Sequence, residues 1–160
     1  MDKKTEFKPF SDFSEMALVT AGSMGDYNTM TIGWGGLGTI WGKPVCTVYV
    51  RPSRYTMEFM DREEYFTVSI FEGFKKELGY LGSHSGRDGD KVAAVGFEPV
   101  EVSNGVTFKQ AKRTLVCRKL YKQLMDKSLI PEADVKSYYS GEDSENVHYM
   151  YIGEVVEIIE

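Results

Sequence analysis

The chain has 160 residues, of which 42% are hydrophobic, and a formal net charge of -5 at pH 7. This length fits one domain, predicted to span residues 1–160, and the apolar content is enough for one continuous core. The acidic balance argues against a nucleic-acid partner, because such proteins neutralise many phosphates with Lys and Arg.

The N-terminal segment shows no sign of export. Residues 1–13 contain lysines and acids but no apolar stretch that ends in a small-residue cleavage site. Nowhere does the chain approach the roughly 20 consecutive apolar residues of a membrane-spanning helix. We therefore expect a cytoplasmic protein with no membrane partner.

The next segments predict strands that are interrupted by glycine. Residues 16–22 ("MALVTAG") form an apolar run that ends in glycine, and turn formers follow, which indicates a strand and a hairpin. Residues 28–42 ("NTMTIGWGGLGTIWG") contain five glycines from Gly33 to Gly42. Glycine within a strand pattern often marks a bulge or a place where a ligand comes close. This segment is the first candidate for binding.

The middle of the chain alternates strands with short helices. Residues 44–50 ("PVCTVYV") are β-branched and lie between prolines, which predicts a nearly fully buried strand. A helical pattern follows, with Ser53 as its N-cap, and residues 64–71 return to strand composition. Short helices are predicted at residues 75–81 and 91–95.

The last third predicts a hairpin, an ambiguous segment and a terminal strand. Residues 100–108 indicate a hairpin with "SNG" at its tip. Residues 108–125 fit either a helical face or a strand, and periodicity does not decide between them. A small helix and a polar loop are predicted for residues 128–146, and a strand for 147–160. About seven strands with only short helices favour an antiparallel barrel over a parallel α/β fold.

The two cysteines carry no metal or redox signature. Cys46 and Cys117 lie far apart and have neither CxxC nor metal-type spacing. In a protein without an export signal, free thiols are favoured over a disulfide. We expect two buried free thiols and no metal site.

Residues 51–56 ("RPSRYT") concentrate hydrogen-bond donors in one turn of an acidic chain. A helix start offers unpaired N–H groups and the positive end of a dipole, which favours an anion. Arg51 and Arg54 add planar cationic forks that suit a phosphate. The alternative is a capped surface helix whose arginines pair with nearby acids: Glu58, Asp61 or Glu63.

A second possible anion site is the loop at residues 85–91 ("SGRDGDK"), where glycines expose backbone donors beside a lysine. This loop lacks the GxxxxGK[ST] order of a nucleotide P-loop. Neither it nor the glycine-rich segment matches GxGxxG after a strand, so a dinucleotide-binding site of the Rossmann type is disfavoured.

Five segments, taken in order, resemble the flavin reductase-like, FMN-binding split-barrel family, which includes the flavoredoxins: "YNTMTIGWGG", "GKPVCTVYVRPSRYT", "YFTVSIF", "HSGRDGDK" and "HYMYIGEVVE". The match spans residues 10–158. It implies a mainly β, antiparallel split β-barrel with Greek-key character and short helical insertions. It also implies a strand at residues 114–120 and a homodimer with one FMN near each subunit interface. Residues 111–146 match only weakly.

The resemblance also implies which residues bind the cofactor. The FMN phosphate is expected at residues 51–56, with these donors: Arg51, Ser53, Arg54 and Thr56. The isoalloxazine ring and ribityl chain are expected along a second set: Asn28, Met30, Thr31, Gly33 and Trp34. Further flavin or phosphate contacts are expected from the loop at residues 85–91: Ser85, Gly86 and Lys91.

Several residues have more than one interpretation. His148 occupies a position where the family often has a histidine, near the flavin or the nicotinamide, and is the candidate catalytic residue. The alternative is a histidine whose hydrogen bonds are satisfied within the sheet. Trp34 and Trp41 could instead be ordinary core residues. Asp90 is expected to cap the following helix, and His84 to lie in a surface loop.

By this resemblance the chain is expected to be an FMN-dependent oxidoreductase, in which NADH or NADPH passes a hydride to the flavin. Because the cofactor carries the chemistry, the protein needs no acid–base pair of its own. One alternative is a flavoredoxin-type electron carrier that a redox partner protein reduces. Another is a non-catalytic module that holds a different phosphate compound. The sequence leaves open the choice of NADH or NADPH, the final acceptor, and whether FMN dissociates.

Overall fold

The computed structural model describes residues 6–160. Residues 1–5, which the single-domain and export predictions also include, lie outside the described residues. Within 6–160 the chain forms nine strands, five α-helices and three short 3-10 turns. None of the helices in this part of the chain is both long and apolar enough to cross a membrane.

The nine strands, in chain order, are β1 (Ala17–Ser23), β2 (Asp26–Ile32), β3 (Gly35–Ile40), β4 (Lys43–Val50), β5 (Tyr65–Ile70), β6 (Pro99–Val102), β7 (Gly105–Phe108), β8 (Arg113–Leu124) and β9 (Tyr149–Ile159). The five helices are α1 (Ser11–Ser14), α2 (Thr56–Arg62), α3 (Lys75–Ser83), α4 (Lys91–Ala94) and α5 (Glu132–Tyr138).

Seven strands form one sheet in the order β2-β1-β5-β8-β9-β4-β3, and β6 and β7 form a separate hairpin. Every pairing is antiparallel. Strands that neighbour each other without being consecutive, such as β5 with β8, give the sheet the crossover connections of Greek-key folds. The predicted mainly β, antiparallel class with short helices is confirmed.

The core lies on both faces of the central strands. Val19 and Leu115 belong to a large cluster that the curved sheet encloses. Leu18, the neighbour of Val19, faces the opposite way, into a smaller cluster that includes Leu81 and Phe108. Because β1 is buried on both faces, its sequence is a continuous apolar run and not an alternating one.

The ambiguous segment is a strand, as the family resemblance implied. Its first half packs against β5, with Leu115 opposite Val68 and Cys117 opposite Phe66. Residues 121–124 are exposed, although they still pair with β9. This long strand is therefore buried near its start and exposed at its end, which explains why its apolar residues show no single periodicity.

The short helices at 75–81 and 91–95 are confirmed as α3 and α4, and Asp90 caps α4 by accepting a hydrogen bond from the Ala93 N–H at 3.0 Å. The predicted start of α2 is wrong. This helix begins at Thr56, and the preceding Tyr55 makes no side-chain cap. The Ser53 hydroxyl instead accepts a hydrogen bond from Asn146 Nδ2 at 2.8 Å.

Both cysteines are free and fully buried. Cys46 on β4 lies opposite Gly153 on β9, and Cys117 approaches from β8 on the other side of the same strand. A Cβ atom at Gly153 would lie 2.7 Å from Phe66 Cζ and 2.8 Å from Cys117 Cβ. Because Gly153 has no side chain, it leaves the space that Phe66 and Cys117 fill.

Replacing Gly153 with alanine should lower the free energy of unfolding by about 1–3 kcal/mol, because the new methyl group overpacks the core. Chemical denaturation measures this change. Gly38→Ala is the matched control, since Gly38 also lies within a strand and an added Cβ meets no atom within 4 Å. Equal losses in the two variants would contradict the packing argument.

Neither thiol of the folded protein should react with an aromatic disulfide reagent at mildly alkaline pH, whereas both should react after denaturation. Both side chains are 0% exposed. Burial, and then contact with Cys46, raises the pKa of Cys117, so this thiol stays protonated. Fast colour development with native protein would show that the thiols are accessible.

Candidate functional site

Two adjoining clefts share Arg54. The first, the aromatic cleft, has a volume of about 200 Å³ and is lined by Met30, Thr31, Ile32, Gly33, Trp34, Tyr49, Arg51, Arg54 and His148. The second, the cationic cleft, has about 230 Å³ and is lined by Asn28, Ser53, Arg54, Tyr55, Gly82, Ser83, His84, Ser85, Gly86, Arg87 and Lys91. Each cleft alone is smaller than a typical small-molecule site, but together the two adjoining clefts reach that size.

Every candidate site residue except Thr56 lines one of these two clefts. Residues of β2 and the end of β4, which lie near opposite edges of the sheet, meet there because the sheet curves. Thr56 is fully buried, and its hydroxyl accepts a hydrogen bond from Asn28 Nδ2 at 2.8 Å. Thr56 thus positions Asn28 and does not itself face a cleft.

In the part of the chain that the structure describes, Arg54 is a half-buried cation without a counter-charge. Its side chain makes no ion pair and no hydrogen bond within residues 6–160, and its pKa is lowered first by burial and then by Arg51. Burial, and then the charge of Arg54, lowers the pKa of Lys91 to about 8. The junction of the two clefts therefore has an unbalanced positive charge, which suits an anionic ligand.

Arg54 does not fit the alternative prediction, a surface helix whose arginines pair with nearby acids. The acids of α2 and the residue after it have other partners: Glu58 pairs with Arg87, Asp61 with Lys122 and Glu63 with Arg62. Arg87 therefore differs from Arg54, although both line the cationic cleft. Arg87 has a carboxylate at 3.5 Å and lies over the Tyr55 ring at 4.6 Å.

Arg51 and Ser53 bind a distant part of the chain, the β8–β9 loop (residues 126–147). Arg51 donates to the carbonyl oxygens of Asn146 at 2.8 Å and Tyr138 at 3.1 Å. The Ser53 backbone N–H donates to Asn146 Oδ1 at 3.2 Å. Of the predicted phosphate donors, these two hold the loop, and Arg54 remains available to a ligand.

The loop at residues 85–91 brings its backbone close to β2. Gly86 lies against Asn28 so closely that an added Cβ would overlap the amide oxygen of Asn28. The Ser85 hydroxyl oxygen accepts from the Arg87 N–H at 3.1 Å. Lys91, 6% exposed, donates to the carbonyl oxygens of Leu81 and His84, both at 2.9 Å. His84 is exposed, as predicted.

Aromatic side chains form one wall of the aromatic cleft. Trp34 is 44% exposed and Trp41 is 59% exposed, so neither is a core residue. The Trp34 ring lies 5.0 Å from that of Tyr138 and 5.0 Å from that of His148, measured between centroids. The wall is thus formed by Trp34, between β2 and β3, and by His148, which directly precedes β9; Tyr138 of the β8–β9 loop packs against Trp34.

His148 both lines a cleft and has a hydrogen-bond partner, so it agrees with each of the two interpretations of its sequence position. It is 8% exposed, lines the aromatic cleft, and its Nδ1 lies 2.6 Å from the Tyr139 hydroxyl oxygen. Burial, followed by the charge of Arg51, lowers the pKa of His148 to about 4. At neutral pH this imidazole is uncharged.

The sequence interpretation missed four residues of the site: Tyr49, Tyr138, Tyr139 and Asn146. Tyr49 precedes Arg51 by two residues, so strand alternation would have placed both on the same face. The other three lie in the weakly matching segment, far in sequence from the residues they contact. No local signal identifies them.

The chain was compared with known proteins. Residues 13–160 match the family model described as "Flavin reductase like domain". Comparison with curated protein sequences gave no significant match. Among solved structures, flavoredoxin from Methanosarcina acetivorans is 21% identical with a TM-score of 0.70, and the alignment covers 100% of this chain and 73% of that one.

Two further structures are similar. The FMN-binding domain of a flavin reductases-like enzyme from Shewanella baltica is 22% identical with a TM-score of 0.66, covering 93% of this chain and 70% of that one. Flavoredoxin of Desulfovibrio vulgaris is 19% identical with a TM-score of 0.69, covering 99% and 76%. These likenesses concern the fold, and they confirm the predicted split β-barrel. Because the family model matches nearly the whole chain, the protein belongs to the flavin reductase-like family.

Proposed function

We propose that this protein binds FMN and acts as an oxidoreductase in which NADH or NADPH passes a hydride to the flavin. The observation that carries the proposal is Arg54, a half-buried guanidinium that has no carboxylate partner among residues 6–160 and lies where the two clefts meet. Burying an unpaired charge costs free energy, which a bound anion offsets. Family membership, and the FMN bound by the similar domain from Shewanella baltica, support a flavin phosphate as that anion.

The residues of the two clefts fit the two ends of FMN. We assign the phosphate to the cationic cleft, where Arg54, Lys91 and the loop at Ser85 and Gly86 offer charge and donors. The ring system is assigned to the aromatic cleft, beside Met30 and Trp34. Since Arg54 lines both clefts, one extended ligand can occupy them together.

The backbone between β2 and β3 offers donors to the ring system. Gly33 and Trp34 follow the last paired residue of β2 and precede the first of β3, so neither takes part in a strand ladder. Both residues line the aromatic cleft, and backbone N–H groups outside a strand ladder suit the acceptor atoms at the edge of a flavin.

FMN, when bound, supplies the redox chemistry by accepting a hydride. The chain's own contribution is position and electrostatics. Arg54 would hold the anionic end, and Trp34, against which Tyr138 packs, lines the aromatic cleft. His148 is neutral and adds no charge beside the ring.

The homodimer implied by the resemblance remains part of the proposal, as does the cytoplasmic location. Exposed apolar side chains support association with a second copy: Trp41 at 59%, Tyr121 at 37% and Leu124 at 48%. The Trp41 and Tyr121 rings lie 6.4 Å apart, so they form one patch. Such patches are typical of interaction surfaces.

Arg54→Ala should weaken FMN binding about 10- to 150-fold, the loss expected for a hydrogen bond to a charged group, and should leave riboflavin binding almost unchanged. Quenching of flavin fluorescence in titrations with each ligand measures both affinities. Arg87→Ala is the matched control, because Arg87 lines the same cleft but already pairs with Glu58. Equal losses for FMN and riboflavin would sink the phosphate assignment.

The visible absorption spectrum tests the reaction. Protein loaded with FMN and desalted should retain a flavin spectrum that bleaches when NADH or NADPH is added without oxygen. A retained flavin that neither donor bleaches would favour the flavoredoxin-type carrier. A protein that binds no FMN at all in titration would contradict the proposed function.

A further inference from the structure

Tyr139, within the β8–β9 loop, and His148, which follows the loop, form a buried pair. Each side chain is 8% exposed, and the Tyr139 hydroxyl lies 2.6 Å from His148 Nδ1. Tyr139 directly follows α5, within the segment that matches the family weakly. One half of the pair therefore comes from a segment for which the family resemblance implies no site residue.

The direction of this hydrogen bond follows from the partners available. Within residues 6–160, Nδ1 is the only acceptor for the Tyr139 hydroxyl, because its other neighbour, the His148 backbone N–H, is a donor. If Nδ1 carried the proton, the hydroxyl hydrogen of Tyr139 would be buried without an acceptor, which costs free energy. The hydroxyl therefore donates and Nδ1 accepts.

The imidazole of His148 is neutral, so only one of its two ring nitrogens carries a proton. Arg51 lies over the Tyr139 ring at 5.3 Å from its centroid and opposes a positive charge on His148, whereas Asp143 acts in the opposite sense and more weakly. With Nδ1 accepting, the ring proton resides on Nε2.

Nε2 faces the aromatic cleft. It has no hydrogen-bond partner within residues 6–160. It is not fully buried either, because in that part of the chain the one fully buried side-chain nitrogen or oxygen without a partner is Arg118 Nε. Nε2 is therefore accessible, and the opening next to His148 is the aromatic cleft. Trp34, with its ring 5.0 Å from that of His148, helps to fix the ring orientation.

We propose that Tyr139 is a positioning residue that holds His148 in the Nε2–H tautomer, so that the imidazole presents a hydrogen-bond donor to a carbonyl oxygen of a second ligand in the aromatic cleft. The tautomer follows from the Tyr139–His148 pair alone. The identity of that ligand rests on the proposed function, in which it is the molecule that faces the flavin ring.

Nitrogen-15 NMR of histidine-labelled full-length protein at neutral pH, without any ligand, tests the tautomer. We expect an unprotonated Nδ1 and a protonated Nε2 for His148, and a shift toward a mixture of tautomers in Tyr139→Phe. The chain has only two histidines, so loss of one set of signals in His148→Gln assigns them. A wild-type Nδ1–H tautomer, or a spectrum that Tyr139→Phe leaves unchanged, would overturn the inference.

Tyr138→Phe is the matched control for folding. Tyr138 is adjacent and 45% exposed, and its ring contacts Trp34, whereas the hydrogen bond to His148 comes from Tyr139. Both variants should retain the thermal unfolding midpoint within a few degrees. Only Tyr139→Phe should change the histidine nitrogen signals.

A kinetic readout tests the donor role. Tyr139→Phe should raise KM for the nicotinamide donor about 2- to 10-fold, as for a weakened neutral hydrogen bond, while the Kd for FMN stays unchanged. An unchanged KM would overturn the assignment of the second ligand. If the protein binds no FMN, the proposed function fails, but the NMR result still decides the tautomer.

Discussion

The register between β4 and β9 is the constraint on which the site depends. Val50 pairs with Tyr149, so the antiparallel ladder places Arg51, the next residue, beside His148. β9 also pairs with β8 along most of its length, which fixes this junction within the sheet. A shift of one residue would turn every side chain to the opposite face. The position of the cation relative to the imidazole is thus a property of the sheet.

The three arginines around the site differ in function because their acidic neighbours differ. Arg87 has Glu58, and Arg51 has Asp143 at 3.9 Å together with two backbone carbonyls. Arg54 has none of these and stays close to two other cations. A paired surface arginine contributes little binding energy, whereas a half-buried unpaired one suits an anionic ligand. Sequence motifs alone cannot distinguish the three.

Much of the fold and part of the site could be predicted from sequence. Strand composition located most of the sheet, and three of the donors predicted in residues 51–56 line the two clefts: Arg51, Ser53 and Arg54. The remaining features depend on contacts between distant residues. Ser53 does not cap α2, because Asn146 binds its hydroxyl. Trp34 lies at a cleft and not in the core, because it packs against two side chains that are distant in sequence, Tyr138 and His148. The domain boundaries and the oligomeric state remain predictions.

The β8–β9 loop leaves and rejoins the sheet at neighbouring points. Leu124 pairs with Tyr149, and the Met125 N–H donates to the His148 carbonyl at 3.1 Å, so the loop ends are closed by the hairpin itself. Changes of length between closed ends cost little free energy. Evolution can therefore rebuild this loop, with its hold on Arg51 and on His148, without disturbing the barrel. Under the proposed function, relatives with the same sheet can diverge in which molecule they admit beside the cofactor while they keep the phosphate end unchanged.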